Sequence, residues 1–353
     1  MRRLSSSSTS FLDKLSVDLI RMIYLYGSRN LALIARELNV SKSSVYQRFY
    51  YLKRQGLRVG VIPRYYHLGL MPTLLVFRVN FDLYSEVERV IRSNPFIVWA
   101  YKSVGYYNGI FGLMLLPDRL LYQPYKMISS FTVENTELIL SNIPYPLIPN
   151  FDIYDARNKN WMNFDKWKIN PMILDDFHDI FVDDLIVKPM IDKIDLYILN
   201  KLMEDETYKF KDIAKELNVE KATITYHYNN HIKPLLLDKR YISFNVFADA
   251  TLNVVLEIQS QDKLGLIKCI GLLSQTPYFY IVFKEFKRNR AILMGNLPAD
   301  HLKILSELIE QYISELDITC AYYSFLVNKI IRKDIPLQLF DEENRVWKVS
   351  VID

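Results

Sequence analysis

The chain has 353 residues, of which 50% are hydrophobic and 24% charged, and this globular balance excludes a disordered or low-complexity protein. No apolar run approaches the roughly 18–20 residues of a membrane helix, and the N-terminus lacks the apolar stretch of a secretory signal, so we predict a cytoplasmic protein without a membrane partner. Two cysteines are too few for a disulfide framework or, by themselves, a zinc site, and the net charge of +4 hides a strongly basic N-terminal region.

The first elements predict a winged helix-turn-helix domain at residues 11–66, after a basic, serine-rich arm at residues 1–10. Ser16, Asn30 and Ser41 stand where three helices begin, and apolar side chains recur at helical spacing behind each of them. The last two helices are joined by a short turn, and the second of them is basic and amphipathic, which is the pattern of a helix-turn-helix. A short strand follows as the wing.

A β-α-β-β-α-β order comes next and predicts a ferredoxin-like domain at residues 67–143. The elements are strands at 73–81, 97–104, 107–116 and 136–143, with helices near 83–94 and 118–131. Residues 144–189 contain several prolines and an acidic run at 175–184. We therefore predict an irregular linker with a solvated acidic segment.

The same organisation repeats in the second half. The string at residues 34–40 returns 179 positions later at residues 213–219 with one basic residue exchanged for another. We predict a second, diverged helix-turn-helix at 190–245, a second ferredoxin-like domain at 246–330 and a C-terminal tail at 331–353. The predicted fold class is α+β, as a tandem repeat in which two winged helix-turn-helix domains alternate with two ferredoxin-like βαββαβ domains.

Charge separates the two copies. Residues 1–64 carry 12 basic and three acidic residues, a net charge of +9, whereas residues 190–243 carry nine of each. A basic region of this size is typical of proteins that bind a polyanion. The first copy is therefore predicted to bind double-stranded DNA, and the neutral second copy to have become a structural or partner-binding module.

The predicted DNA contacts lie on and around the third helix of the first copy. Gln47 and Arg48 have the donors and acceptors for base edges, whereas most of the other polar and basic side chains suit phosphates. For Lys53 and Arg54, a solvated helix end that complements the helix dipole is an equal alternative. The predicted DNA-binding residues are Ser41, Lys42, Ser43, Ser44, Gln47, Arg48, Lys53, Arg54, Arg58 and Arg64.

The corresponding helix of the second copy is a weaker DNA-binding candidate, because Glu220 at its start disfavours phosphate. His227 and His231 have the spacing of two metal ligands on one helix, but the sequence shows no third ligand. We therefore predict no metal, no cofactor and no catalytic residue. The candidate DNA contacts of this second copy are Lys221, Thr223, Thr225, Tyr226 and His227.

Each half resembles the Lrp/AsnC (feast/famine) family of transcription regulators, in which an N-terminal helix-turn-helix is joined to a βαββαβ effector and oligomerisation domain, the RAM domain. The resemblance is carried by residues 18–25, 34–41 and 60–69 and is weaker in the second half. It implies a sequence-specific DNA-binding transcription regulator. It also implies a homodimer through the RAM-like domains and a small-molecule effector.

The family's effector turn corresponds here to Gly105 and Asn108, and to residues 286–289 in the second half. The family has a carboxylate where Asn108 stands, and the second turn lacks the glycine. Loss of the carboxylate removes a charge-assisted bond to an ammonium group, so the sequence weighs against an amino acid as the effector.

Two other functions stay open. Siroheme decarboxylases are similar in fold, with helix-turn-helix units that no longer bind DNA, and His67 lies near the position of their His-Arg pair, although Leu68 follows it here. The other alternative is a regulator that binds the transcription machinery through the neutral second half. The basic N-terminal region favours the DNA-binding regulator, and the sequence prediction is that the protein is not an enzyme.

Overall fold

The structure is a computed structural model that describes residues 12–79, 81–128, 134–142, 144–155, 160–161, 186–244, 251–313 and 318–349. It is a mixed α/β fold with one large antiparallel sheet, consistent with the predicted α+β class. The helices are α1 (Lys14–Tyr26), α2 (Leu31–Glu37), α3 (Lys42–Arg54), α4 (Tyr84–Ser93), α5 (Lys193–Glu204), α6 (Phe210–Leu217), α7 (Lys221–His227), α8 (Lys263–Ser274) and α9 (Leu302–Ile313). Across these ranges, no helix has both the length and the apolar character needed to cross a membrane.

Fifteen strands accompany these helices in the described ranges, and several are only two or three residues long. They are β1 (Arg58–Gly60), β2 (Leu70–Phe77), β3 (Ile97–Gly105), β4 (Gly109–Pro117), β5 (Thr136–Leu140), β6 (Tyr145–Pro146), β7 (Tyr154–Asp155), β8 (Asn160–Trp161), β9 (Tyr241–Ser243), β10 (Thr251–Ser260), β11 (Phe279–Lys284), β12 (Arg290–Pro298), β13 (Ile318–Arg332), β14 (Phe340–Asp341) and β15 (Val346–Trp347).

Helices α1 to α3 form the first helix-turn-helix around a buried apolar core. The start of α1 differs from the prediction, because Asp13 rather than Ser16 caps the helix. The Asp13 carboxylate accepts a hydrogen bond from the N–H of Ser16 at 2.9 Å, which places Ser16 inside the first turn. Ser41 caps α3 as predicted and accepts a hydrogen bond from the N–H of Ser44 at 3.1 Å.

Helices α5 to α7 repeat this local structure. The turn before the last helix has the same backbone in both units, because Asn39 and Asn218 each have a φ of +53°. This left-handed conformation suits asparagine better than most other residues. The second unit differs at its end, where α7 passes into a π-helical turn at Tyr228–Ile232.

The large sheet has nine strands in the order β5-β2-β4-β3-β13-β10-β12-β11-β6. Its two groups of four, β5-β2-β4-β3 and β13-β10-β12-β11, have the same order when each is numbered along the chain. The groups join where β3 pairs antiparallel with β13, with Val104 opposite Phe325. Strand β5 lies at one edge of this sheet and β11 near the other. Ser141, directly after β5, forms a bridge to Glu285, directly after β11, and β6, the next strand along the chain, pairs with β11. These pairings join the two edges, so the sheet closes on itself.

One predicted helix does not form as predicted. Within the described part, the region near 118–131 forms two short 3₁₀ turns, Asp118–Leu120 and Pro124–Met127. Pro124 has no N–H to donate and restricts the backbone of the residue before it, so a continuous helix cannot pass this point. Residues 129–131 of that prediction lie outside the described residues.

The first part of the predicted linker contacts the first helix-turn-helix. Asp152, in the first part of the linker, pairs with Arg21 of α1 at 2.6 Å. The acidic run at 175–184 and the N-terminal arm at 1–10 lie outside the described residues.

The C-terminal tail, which the sequence pattern does not place, connects the two halves. Strand β13 continues to Arg332, two residues beyond the predicted domain boundary. Asn200 of α5 exchanges two hydrogen bonds with the backbone of Ile335. The buried Trp347 donates a hydrogen bond to the carbonyl oxygen of Leu68 at 2.6 Å. The tail therefore ties the second helix-turn-helix to the start of the first strand group.

Candidate functional site

The two helix-turn-helix units pair with each other inside the chain. Strand β1 is antiparallel to β9, with Val59 opposite Ile242. The backbones of the two units approach each other closely at Gly60, where a Cβ atom would lie 2.4 Å from the carbonyl oxygen of Met203. Backbone contacts therefore fix the two units relative to each other.

Glu206 adds a buried polar contact at this junction. It is 2% exposed and accepts hydrogen bonds from the N–H and the hydroxyl of Ser28 at 2.7 and 2.8 Å, and from Arg240 Nε at 2.5 Å. Arg29 of the first unit donates to the carbonyl oxygen of Glu206, and its guanidinium lies 4.2 Å from the centre of the Phe210 ring. These contacts satisfy both the charge and the hydrogen bonds of the buried carboxylate.

Most of the predicted DNA-binding residues are accessible. Lys42, Gln47 and Arg54 project from α3 with exposed side chains, as polyanion binding requires. Of the remainder, Ser41, Ser43 and Arg58 are exposed, and Ser44 and Arg64 are half-buried.

Arg48 and Lys53 already have partners in the chain. Arg48 pairs with Asp13 at 2.6 Å. Lys53 pairs with Asp205 of the second unit at 2.5 Å and donates to the Thr207 hydroxyl at 3.0 Å. A DNA phosphate or base must compete with these partners for both cations.

The recognition helices α3 and α7 border one shared groove. Its walls include Tyr46 and Tyr50 of α3, Lys209 and Lys211 at the start of α6, and Lys221 at the start of α7. The groove therefore brings the middle of α3 and the starts of α6 and α7 to one face of the paired units.

The candidate contacts of the second unit are only partly available. Lys221 and Tyr226 are exposed and Thr223 is half-buried, while the half-buried Thr225 donates its hydroxyl to the carbonyl oxygen of Lys221 at 3.0 Å. His227 is 9% exposed and contacts Asp195 of α5, which leaves little of its side chain accessible, and its contact with DNA stays a prediction.

Asp195 brings His227 and His231 together. Nδ1 of His227 lies 2.8 Å from Oδ1 of Asp195, and Nδ1 of His231 lies 3.0 Å from Oδ2. Asp195 is held there by a capping box, in which it exchanges hydrogen bonds with Asp192 at the start of α5. The sequence pattern indicates no third ligand, because Asp195 lies on α5 whereas the two histidines lie at the end of α7 and in the turn after it.

The two turns that correspond to the family's effector turn meet at a second buried group of polar side chains. Tyr107 lies within the first turn, and Arg290 directly follows the second. Arg290 Nη2 lies 2.8 Å from Glu257, 3.0 Å from Glu137 and 3.1 Å from the Tyr107 hydroxyl. Arg290 Nη1 lies 3.5 Å from Glu285. We call Tyr107, Glu137, Glu257, Glu285 and Arg290 the turn cluster.

Burial and neighbouring charge set the protonation of the turn cluster. Burial raises the pKa of the Tyr107 phenol and that of the Glu285 carboxyl, and Arg290 offsets part of each effect. Burial also acts to raise the pKa of Glu137, but hydrogen bonds from Arg78 and Arg290 outweigh it and leave that pKa lowered. The cluster therefore places the Glu137 carboxylate, which ionises readily, near the Glu285 carboxyl, which keeps its proton to a higher pH.

An aromatic surface lies next to the turn cluster. The rings of Tyr106 and Tyr322 stack with centres 4.0 Å apart and planes 5° apart, and the Arg78 guanidinium lies 6.0 Å from the Tyr106 ring. Gly105 permits this approach, because its φ is +113° and a Cβ atom would lie 2.6 Å from a carbonyl oxygen of β13. Asn108 is exposed. Both predicted effector-turn residues thus lie beside the turn cluster.

Sequence reasoning missed the charged members of this cluster. One signal was available, because Glu257 is the single charged residue in the apolar run at 254–258, and it is fully buried. A buried carboxylate needs a cation. Nothing in the linear pattern identified Arg290 as that cation. His67, the residue compared with the decarboxylases, is half-buried in the 3₁₀ turn Tyr65–Leu68.

Several solved structures are similar to this chain in fold. No family model and no curated protein matches the sequence. The siroheme decarboxylase NirDL is similar with a TM-score of 0.56 and 12% identity, over 94% of this chain and 96% of that chain. The structure of NirDL with an iron-uroporphyrin III analogue gives 0.55 over the same shares. AsnC of E. coli matches 37% of this chain and 94% of its own, with 18% identity and a TM-score of 0.29.

The likeness to NirDL overturns the prediction that the protein is not an enzyme. The shared fold covers 94% of this chain, a share that takes in the helix-turn-helix units as well as the sheet. A helix-turn-helix in this setting is therefore no argument against an enzyme.

Proposed function

We propose that the protein is an enzyme that binds a carboxylated tetrapyrrole and removes carboxyl groups from it, the activity that the name of NirDL states. The observation that carries this proposal is the agreement of fold over nearly the whole of both chains. The pairing of the two helix-turn-helix units inside the chain through β1 and β9 supports a structural role for them.

The turn cluster is the site that we assign to this activity. Decarboxylation breaks the carbon–carbon bond to a carboxylate, releases CO₂ and leaves an electron pair that takes up a proton. Glu285 is the proton donor that we assign, because burial raises the pKa of its carboxyl. The stacked Tyr106 and Tyr322 offer an aromatic surface for the macrocycle, and Arg78, which pairs with Glu137 at 2.7 Å, is the cation for which a substrate carboxylate would compete.

The test is an absorbance titration of the full-length protein with iron-uroporphyrin, followed by incubation with siroheme and mass analysis of the product. We expect a shifted Soret band and a product lighter by one or more CO₂. Glu285→Gln should keep the shift and lose the turnover, whereas Glu88→Gln on the exposed face of α4 should change neither. A wild-type protein that gives neither shift nor product would refute the proposal.

A second function, binding of double-stranded DNA by the first unit as a transcription regulator, is favoured by the exposed Lys42, Gln47 and Arg54 on α3. A gel-shift series on genomic fragments at several salt concentrations tests it. Lys42→Ala combined with Arg54→Ala should weaken binding and flatten its salt dependence, because phosphate contacts release counterions. Lys303→Ala on α9 serves as the control. Unchanged affinity and salt dependence in the double variant would exclude α3 as the DNA-binding element.

We also propose that the chain is a tandem duplication with the domain division predicted from the sequence. The equal strand order of the two groups of four and the matching left-handed asparagines support this. Location in the cytoplasm and binding of a small-molecule effector stay predictions.

A further inference from the structure

Three metal-ligating side chains of the second helix-turn-helix unit meet at one point. Asp195, His227 and His231 each offer one ligand atom, and these atoms all lie within 4.8 Å of one another. Asp195 is 2% and His227 9% exposed, whereas His231 is half-buried. The group is therefore largely desolvated and reaches solvent on the side of His231.

The backbone that carries the histidines has an unusual conformation. His227 is the last residue of α7, and His231 lies in the π-helical turn that follows it. Single π-helical turns occur frequently at functional sites. The imidazole centres lie 5.1 Å apart, and Tyr226 packs edge-on against both rings at 5.8 and 5.5 Å. Both imidazoles are thus held with Nδ1 towards the same carboxylate.

Two imidazoles and one carboxylate form a ligand set that suits divalent transition metals, whereas Ca²⁺ and Mg²⁺ prefer oxygen ligands alone. In a tetrahedral zinc site with bonds of about 2.0–2.1 Å, neighbouring donor atoms lie about 3.3 Å apart. The distances from the two Nδ1 atoms to Asp195 are 2.8 and 3.0 Å, so an ion requires only small side-chain movements. Asp192 Oδ2, 3.7 Å from His227 Nδ1, is within reach as a fourth ligand.

We propose that Asp195, His227 and His231 bind a divalent transition-metal ion, for which Zn²⁺ is the best match. The N–H of Asp192 donates to Asp195 Oδ2 at 3.0 Å and orients the carboxylate, as outer contacts do in metal sites. The ion joins α5 to α7 and so stabilises the second unit and the position of the exposed Tyr226. This site is separate from the turn cluster, and the proposal does not depend on the enzymatic one.

The test uses the full-length chain after treatment with a chelator. Zn²⁺ is titrated by calorimetry, and Co²⁺ is titrated while its visible absorption is recorded, because the band positions and intensity report the ligand set. We expect one equivalent of either metal to bind, visible Co²⁺ bands to appear, and the melting temperature to rise with Zn²⁺. No stoichiometric binding of either ion would overturn the proposal.

Variants separate this site from adventitious binding. His231→Gln, at the half-buried position, should weaken Zn²⁺ affinity at least about tenfold and abolish the thermal shift, whereas His67→Gln should bind as the wild type does. His231→Cys keeps a ligand and should add a thiolate charge-transfer band to the Co²⁺ spectrum, which a misfolded variant would not show. Equal affinity of His231→Gln and the wild type, or a Co²⁺ spectrum that His231→Cys leaves unchanged, would overturn the proposal.

Discussion

Glu206 is a buried carboxylate at the junction of the helix-turn-helix units. Its carboxylate faces Ser28 of the first unit and the Arg240 guanidinium, whose side chain is 16% exposed. Glu206→Gln removes the anion and leaves that cation buried, and breaking a buried pair costs about 3–5 kcal/mol. We expect urea unfolding to show a loss of about 3 kcal/mol in the free energy of unfolding.

The exposed pair of Glu88 and Arg92, four residues apart on α4, is the matched control. Glu88→Gln should cost no more than about 0.5 kcal/mol, because such pairs are solvated and screened. If both variants lost the same free energy, the Glu206 contact would contribute no more than a surface pair.

Two carboxyl groups of the turn cluster should respond to pH in opposite directions. The pKa of Glu137 is lowered in the folded state, because the hydrogen bonds from Arg78 and Arg290 outweigh burial, so its contribution is present above the unfolded pKa of about 4.3 and is lost as the pH falls. The pKa of Glu285 is raised by burial, so its contribution is present at low pH and is lost as the pH rises past the unfolded value.

Unfolding free energies measured between pH 3 and pH 7, a range that includes the pKa of about 4.3 of a free glutamate, should separate these effects. Glu137→Gln should flatten the loss of stability on the acid side, and Glu285→Gln should flatten the loss on the neutral side. A change of the same sign in both variants would contradict the assigned protonation states.

At the scale of elements, the N-terminus of α1 shows how one residue serves two contacts. Asp13 caps the helix and also pairs with Arg48 of α3. Asp13→Ala should cost about 1 kcal/mol or more, because it removes the cap. Asp13→Ser keeps a capping hydroxyl and loses only the half-exposed ion pair, so it should cost about 1 kcal/mol or less. Thermal unfolding measures both, and equal losses would show that the cap does not stabilise α1.

Elements with strong periodicity could be predicted from the sequence, and their failures have local causes. The helices and strands of the second half follow the predicted order, because β10, β11 and β12 are short, nearly continuous apolar runs that are buried over most of their length. Pro124 interrupts the predicted helix near 118–131. The proline is visible in the sequence, but the helical spacing of the apolar residues around it favours a helix. The sequence predicts Ser16 as the cap, whereas the structure has Asp13, three residues earlier, because both residue types suit that position.

The candidate sites were harder to predict than the elements, because their residues meet only after folding. The family resemblance predicts Gly105 and Asn108, which lie beside the turn cluster, whereas Glu257 and Arg290 come from other strands of the sheet. Asp195 joins His227 across 32 residues of sequence. Periodicity reports which face of an element is buried, and it carries no information about which polar groups meet there.

At the scale of the whole molecule, the two halves already form a pair within one chain. The sheet groups join at β3 and β13, and the helix-turn-helix units join at β1 and β9. The predicted homodimer through the RAM-like domains stays a prediction, and it requires a surface other than these two. Light scattering on the purified chain over a range of concentrations measures whether a dimer forms.

These internal joints predict that the chain unfolds as one unit, since neither half keeps its partners when the other unfolds. Circular dichroism and tryptophan fluorescence should give coincident urea transitions. Gly60→Ala should lower that single midpoint, because its Cβ would lie 2.4 Å from the carbonyl oxygen of Met203 across the joint. Gly56→Ala, with a φ of +100° and no atom within 4 Å of its Cβ, carries backbone strain without that clash and should lose less. Two separate transitions in the wild type would mean that the halves fold independently, and the shared joints would then be surface contacts rather than parts of one cooperative core.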